Sequence, residues 1–269
     1  MTSRRTILAT LALATVTAFS GVSAMAKDTL RVGSYPSNPP WEFKNEAGEF
    51  EGFEVDIINE VAKRLDMDVD IKGLDFRALF VASASGRVDA VISSLTTTEE
   101  RLEAQSFTQP YFLGALGVGT KDTAGISEIS DLKDKRVGAI ATSFGEAWVK
   151  EREEELGYTS YSSYDSTANM LTDLRNGRID AAVNDIVGLR YSFAQTQDSS
   201  LQVPVEIPTG DLFAIMMPKN SDKLEMVNDA ISAMKEDGTM AELFEKWMGV
   251  APAAGSVTVT PMPFPTLAK

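Results

Sequence analysis

Residues 89–111 read DAVISSLTTTEERLEAQSFTQPY, and they hold the unit from which the chain is built. Residues 90–92 are an apolar run short enough to be a buried strand. Ser93 and Ser94 follow, then Thr96, Thr97 and Thr98. The run Thr97-Thr98-Glu99-Glu100 matches a Thr-x-x-Glu capping box, which predicts a helix start with Arg101 in its first turn. A strand, a hydroxyl-rich turn and a helix start carrying an arginine suit a small anion. Free N–H groups and the helix dipole point at it, and a guanidinium grips a carboxylate at two points. The same spacing also describes an ordinary capped surface helix with a solvated arginine, and spacing alone leaves both readings open.

Outward from this stretch the pattern repeats. Upstream, residues 29–33 read as a strand, 34–40 as a proline-rich loop, 41–43 as extended and 45–49 as a turn. Apolar residues at 53, 57, 58, 61, 62 and 65 predict a helix over 53–65. A strand at 69–71, a helix over 75–85 closed by Gly86, and the strand 88–92 complete this half. Downstream, strands are expected at 114–120 and 135–142, with a loop and short helix over 121–132 between them. A second box, Ser143-Phe144-Gly145-Glu146, opens a helix to about residue 156. Residues 158–164 are extended, 165–176 helical and closed by Gly177, and 179–183 a strand ending at Asn184-Asp185. A loop then leads to a strand at 212–217 and helices at 224–238 and 240–247. Strands alternating with helices define an α/β chain with largely parallel sheets. Gly86-Arg87-Val88-Asp89-Ala90 returns as Gly177-Arg178-Ile179-Asp180-Ala181, an echo that suggests two similar α/β lobes. Ligands of open α/β sheets sit beyond the carboxyl ends of strands, where the polar segments of both halves fall.

Composition narrows the chemistry. The 269 residues include 25 Lys+Arg and 39 Asp+Glu, a net charge of −14, which disfavours nucleic acid and anionic lipid as partners. The absence of His and Cys removes the usual metal ligands, thiol nucleophiles, Ser-His-Asp chemistry and disulfides, so neither metal nor cofactor is expected. A purely carboxylate- or lysine-based enzyme stays open. Arg4 and Arg5, the apolar-to-small run 6–21 and Ala24-Met25-Ala26 have the layout of a cleavable signal peptide, residues 1–26. Ser3-Arg4-Arg5 also loosely resembles a twin-arginine signal. No later run reaches 18 apolar residues, so a soluble exported protein is expected, most simply periplasmic. Residues 251–269, with four prolines and no helical period, read as an extended tail, although strand-like residues 256–260 could lie against the body.

Further motifs carry a resemblance. Leu30-Arg31-Val32-Gly33, Gly52-Phe53-Glu54-Val55-Asp56, the two Gly-Arg segments, Thr98-Glu99-Glu100-Arg101, Phe107-Thr108-Gln109-Pro110-Tyr111, Asp131-Leu132-Lys133 and Glu236-Asp237-Gly238-Thr239 together resemble the periplasmic substrate-binding proteins of polar amino-acid ABC transporters, over roughly 29–249. The resemblance implies a two-lobed clamshell with lobe 2 inserted in lobe 1. Lobe 1 would span 27–114 and 210–250, lobe 2 would span 115–209, and the hinge would lie near 115–119 and 206–212. It implies a monomer that captures a free amino acid or a derivative and hands it to a membrane permease. By position, Arg101 would grip the ligand α-carboxylate, with Ser94 and Thr96 contacting its amino and carboxylate groups, partly through backbone. Ser143, flanked by Thr142 and Phe144, would add donors from lobe 2, and Asp185 would take the α-ammonium. Phe76 would wall the side-chain pocket, and Ser93 lies beside the anchor.

The chain departs from the family pattern around the side-chain pocket. Asn38 stands where an aromatic is usual, and Tyr35 where basic-ligand members carry an acid. Tyr35 and Trp41 would then supply aromatic surface and Asn38 a polar contact, so an acidic pocket for arginine or lysine is not evident. Trp41 reads equally as core, and Arg77, at a more often acidic position, as a solvated helix residue. Two rivals share the fold. A cyclohexadienyl dehydratase-like enzyme would need an acid/base, for which Asp185 and Glu42 are the candidates. A sensory module would present the lobes to a receptor.

Overall fold

The computed structural model describes residues 27–267, and the expected signal peptide lies outside the described residues. The chain runs β1 (Thr29–Ser34), β2 (Ser37–Asn38), β3 (Glu42–Lys44), β4 (Phe50–Glu51), α1 (Phe53–Arg64), β5 (Asp68–Gly73), α2 (Phe76–Ala84), β6 (Ala90–Ile92), α3 (Glu99–Ala104) and β7 (Gln105–Phe107). It continues through β8 (Phe112–Lys121), β9 (Arg136–Ile140), α4 (Phe144–Glu151), α5 (Glu153–Leu156), β10 (Ser160–Tyr164), α6 (Thr167–Arg175), β11 (Ala181–Asp185), α7 (Ile186–Ala194) and β12 (Leu201–Phe213). β13 (Met216–Pro218), α8 (Leu224–Glu236) and α9 (Thr239–Met248) complete the strands and α-helices, and short 3-10 helices at Asp122–Ala124 and Ile129–Leu132 occupy the expected loop and short helix.

Two five-stranded sheets result, ordered β5-β1-β6-β13-β7 and β10-β9-β11-β8-β12. Each has a core of three parallel strands, extended by two strands joined antiparallel. Each carries its own apolar core. Trp41, Phe53, Ile57, Ile58 and Val61 sit with Ile215 and Ile231 in the first; Val118, Leu132, Val137, Val149 and Val183 anchor the second. The predicted period of α1 emerges as its buried stripe, and each such aliphatic side chain contributes roughly 1.5–3 kcal/mol through burial. α1 can start only because Gly52 precedes it. There φ is 137° and a Cβ would stand 2.2 Å from the Trp41 carbonyl oxygen.

The sequence echo has a structural counterpart. Asp89 accepts from Arg31 Nε at 2.9 Å, Nη2 at 2.8 Å and backbone N at 3.0 Å. Asp180 accepts from Arg136 Nε at 2.9 Å, Nη2 at 2.6 Å and backbone N at 2.9 Å. In both places a glycine with φ 67° ends a helix, and the aspartate ties the next strand to the sheet's first parallel neighbour.

Three expectations are corrected. The cap of α3 is Thr98, whose hydroxyl accepts from Arg101 N, not Thr97, and the helix runs only six residues because Gln105 is drawn into pairing with β13. The helix expected to 156 breaks at Arg152 into α4 and α5. The expected loop before 212 holds α7 and the 13-residue β12. Pro204 and Pro208 obscured that strand. β12 tolerates them because it is an edge strand, with register irregularities between Gln202 and Val205 and between Ile207 and Asp211. α7 contains Gly188 and a β-branched start, poor helix chemistry, and is held by its Asp185 cap and by Leu189 and Phe193 against Gly119.

The tail folds back on the body. Thr258 is buried, buried Lys235 donates to the carbonyls of Pro110 and Thr260, and Met262 N donates to Gln109 Oε1. Residues 256–260 lie against the body, as the alternative to an extended tail allowed, but as turns and not as a strand.

Candidate functional site

The carboxyl ends of the parallel strands of both sheets meet at one cleft. Its inner cavity, about 50 Å³, is lined by Tyr35, Asn38, Phe76, Ser94, Thr96 and Arg101 from the first half, with Ser143, Phe144, Thr167 and Asp185 from the second. An outer cavity of about 460 Å³ shares Arg101, Ser143 and Phe144 and adds Arg77, Phe80 and Thr142.

Arg101 projects from the first turn of α3. Nη1 donates to Thr96 O at 2.8 Å and Nη2 to Thr142 O at 3.1 Å, while the guanidinium carbon stands 5.0 Å from the centre of the Phe80 ring. No carboxylate lies within ion-pair distance of it among the described residues. The residue keeps some exposed surface, yet enough protein surrounds the guanidinium that desolvation pulls its pKa down to about 10. At neutral pH it remains a cation whose direct partners are carbonyl dipoles, with the charges of Glu100 and Asp211 attracting it from beyond ion-pair distance.

Opposite it, Asp185 ends β11 and caps α7. Oδ2 accepts from Trp41 Nε1 at 2.8 Å and from Gly188 N at 2.6 Å, while Oδ1 is buried without a partner. Burial pushes the carboxyl up to about 6, against the pull of the Trp41 and Gly188 hydrogen bonds. The site therefore presents a cation and an anion, each with unused hydrogen-bonding capacity, on opposite walls of one cavity.

Behind the first wall lies a sealed acid pair. Glu42 and Glu54 are both fully buried; Glu54 accepts from Ser94 N at 2.9 and 3.0 Å and from the Tyr111 hydroxyl, and Asn38 Nδ2 donates to Glu42 Oε1 at 3.1 Å and Ser94 Oγ at 2.9 Å. Burial, reinforced by the Glu54 charge, holds the Glu42 carboxyl well above the usual range, and burial raises Glu54 too, against the pull of its hydrogen bonds from Tyr111 and Ser94. The pair holds Ser94 at φ 42° and orients the Asn38 amide.

The structure distributes the other candidates as follows. Ser93 does not line the cavity; its hydroxyl accepts from Tyr35 N at 2.9 Å and donates to Ile92 O, which is a scaffold role. Trp41 is wholly buried and reaches the site only through its bond to Asp185. Glu42 is walled off from the cavity by Asn38. Arg77 and Thr142 line the outer cavity alone. The Ser94 N–H is committed to Glu54, so any backbone contact of Ser94 with a ligand falls to its carbonyl. The Ser143 hydroxyl accepts from Glu146 N as the α4 cap at 3.1 Å, and Glu146 returns its carboxylate to Thr142 N at 2.6 Å, one residue before the cap itself. Tyr35 forms a bond across the cleft, its hydroxyl accepting from Thr167 N at 2.9 Å.

Sequence reasoning missed Thr167, Asn184, Phe213 and, above all, Asp211, which line the inner cavity. Asp211 is 4 % exposed, and burial, with the Asp185 charge adding to it, raises its pKa to about 6. Nothing but strand alternation around a proline-interrupted segment could have flagged it.

A cleft between two α/β sheets joined by two long crossing strands, with opposite charges on facing walls, defines a two-lobed ligand-binding protein. The family model for bacterial extracellular solute-binding proteins, family 3, matches residues 30–250, and the chain belongs to that family. It is 31% identical over 226 residues to the L-cystine-binding protein TcyJ of Escherichia coli (strain K12), covering 83% of this chain and 84% of that one. Among solved structures it is similar to an ancestral arginine-binding protein bound to arginine (TM-score 0.79, 34% identity, 84% of this chain and 100% of that one). It is similar also to an ancestral amino acid-binding protein described as a precursor of cyclohexadienyl dehydratase (TM-score 0.73, 26% identity, 81% and 94%).

Proposed function

We propose that the protein captures an L-amino acid in the periplasm and delivers it to the permease of an ABC transporter. The observation that carries this reading is the cation Arg101, without a carboxylate partner, facing Asp185 with its unpartnered buried oxygen. A buried charge is costly unless paired, and a zwitterion supplies both missing partners at once. The ligand α-carboxylate is gripped by Arg101, with Thr96 and Ser143 and the first free N–H groups of α4 around it. The α-ammonium goes to Asp185 with Asn38 and Ser94 nearby, and Phe76, Tyr35 and Phe144 wall the side chain. Micromolar affinity corresponds to about 8 kcal/mol, and charge-assisted hydrogen bonds of roughly 1.5–3 kcal/mol each supply its specific part.

Lobe boundaries near 114–115 and 209–210 are part of this proposal, and the pairing of β8 with β12 across those positions supports their paired segments as the hinge. Arg101 and Asp185 then belong to different lobes, and a ligand touching both favours closure by its differential affinity for the closed state. The described residues contain no helix long and apolar enough to cross a membrane, which suits a role in solution.

Titration calorimetry and thermal-shift screening against the twenty amino acids, opines and ectoine test the reading. We expect one or a few amino acids to bind at micromolar levels or tighter. Arg101→Ala should abolish this while leaving the far-UV circular dichroism unchanged, and wild-type affinity in that variant would refute the site. Turnover of prephenate or arogenate would overturn the transport role in favour of an enzyme.

A further inference from the structure

The amino-acid reading leaves one buried charge unanswered, and the inference drawn from it rests on that reading. The inner cavity holds two carboxylates, Asp185 and Asp211, but only one guanidinium, Arg101. A neutral zwitterion adds no net charge and engages Arg101, the cation whose charge pulls on Asp211, so the occupied cavity keeps one negative charge in excess. The Thr209 hydroxyl pulls on its charge but forms no hydrogen bond of good geometry. An unpaired buried carboxylate is costly, and closing a ligand over it raises that cost.

Sheet register shows where this carboxylate points. Asp185 pairs with Leu116 on β8, and Asp211 pairs with Gly114 on the same strand. Residues two apart on a strand share a face, and directly paired antiparallel residues share it too. Asp185, Leu116 and Asp211 therefore all project to one side of this sheet, the side that lines the cavity with Phe213. β11 and β12 flank β8, so the two aspartates are two strand spacings apart across the sheet and two residues apart along it, roughly 12 Å between Cα atoms. Each side chain reaches inward from there. At position 114 only glycine fits, because a Cβ would come within 2.7 Å of the Phe213 ring, and this lets the ring pack down beside Asp211.

We infer that the cavity selects an amino acid bearing a second cationic group at the end of its side chain, with Asp185 receiving the α-ammonium and Asp211 the distal cation. The separation of the two aspartates, less their own reach, suits the span from the α-nitrogen of lysine or arginine to its terminal nitrogen. Phe213 and Phe76 offer apolar surface to the methylenes between. The acid for a basic ligand thus comes from β12 at the crossing between the sheets, not from the neighbourhood of Tyr35 and Asn38, where the sequence suggested looking.

The test compares charged ligands with neutral isosteres at pH 8, where both aspartates are ionised. Calorimetry on the wild-type protein uses L-arginine against L-citrulline and L-lysine against L-norleucine; the same pairs are then run on Asp211→Asn. We expect the cationic member of at least one pair to bind wild type 30-fold or more tightly than its isostere, and the ratio to fall below about 3 in Asp211→Asn through loss on the cationic side alone. Wild-type ratios near one, or an unchanged ratio in Asp211→Asn, overturn the inference. If Asp211→Asn does not fold, the wild-type ratios still decide. Binding of neutral but not cationic amino acids overturns this inference and leaves the amino-acid reading standing; failure of all twenty to bind overturns both.

Discussion

Asp185→Asn separates the two demands on this carboxylate, because they point in opposite directions. In the folded protein burial raises the Asp185 pKa from 3.8 to about 6, so the ionised form is less comfortable there than in the unfolded chain by about 3 kcal/mol. The folded carboxyl retains its proton longer than the unfolded one does. The destabilising contribution of Asp185 is therefore absent below pH 3.8, grows between pH 3.8 and 6, and is fully present above pH 6. Asparagine is neutral, and its amide oxygen can still accept from Gly188 N and Trp41 Nε1, preserving the α7 cap. Without ligand the variant should be more stable than wild type at pH 7.5, by up to about 3 kcal/mol, and nearly equal to it at pH 4. Ligand binding should move the other way. An amino acid's ammonium loses its counter-charge, at a cost of about 2–5 kcal/mol, or roughly 30- to several-thousand-fold in Kd. The matching des-amino acid should lose little. Urea unfolding across pH 4–8 reads the first half and calorimetry with the paired ligands the second. A variant no more stable at pH 7.5 than at pH 4 relative to wild type refutes the burial argument, and equal losses for both ligands refute the ammonium role.

Tyr35→Phe removes the acceptor for Thr167 N across the cleft; Kd for the bound amino acid should rise about tenfold, with the urea midpoint little changed. Gly52→Ala places a Cβ 2.2 Å from Trp41 O at φ 137°, and a loss of at least about 3 kcal/mol in urea unfolding is expected. Asp89→Asn loses the forked contact with Arg31. Although burial opposes it, the Arg31 and Lys223 contacts hold the Asp89 pKa at about 2, so this contribution is full above pH 3.8 and disappears as pH falls through 2. Allowing for the exposed Arg31 side chain, the variant should be about 1–2 kcal/mol less stable at pH 7, with the gap closing in acid.

Local pattern carried much of this protein. Amphipathic spacing at 53–62 placed α1, glycines 86 and 177 placed two helix ends, and the Gly-Arg echo announced a repeated unit whose Arg–Asp forks the structure displays. These features depend on neighbours within a few residues, or on one strand beside another, so they leave a periodic trace. Arg101 was legible as a candidate for the same reason, since it follows a hydroxyl-rich turn at a helix start. α7 and β12 left no such trace, because Gly188, Pro204 and Pro208 argue against regular structure and only packing against β8 overrides them. The resemblance to a known family pointed to Arg101 and Asp185 but not to what each touches. Only the tertiary structure decided that Ser93 and Trp41 are scaffold, that the Ser94 N–H is committed to a buried acid pair, and that Asp211 enters the cavity. Each of those facts depends on which side chains meet across a sheet or a cleft, at separations of 40 to 144 residues for the bonds concerned, and burial and charge there follow from assembly rather than from local spacing.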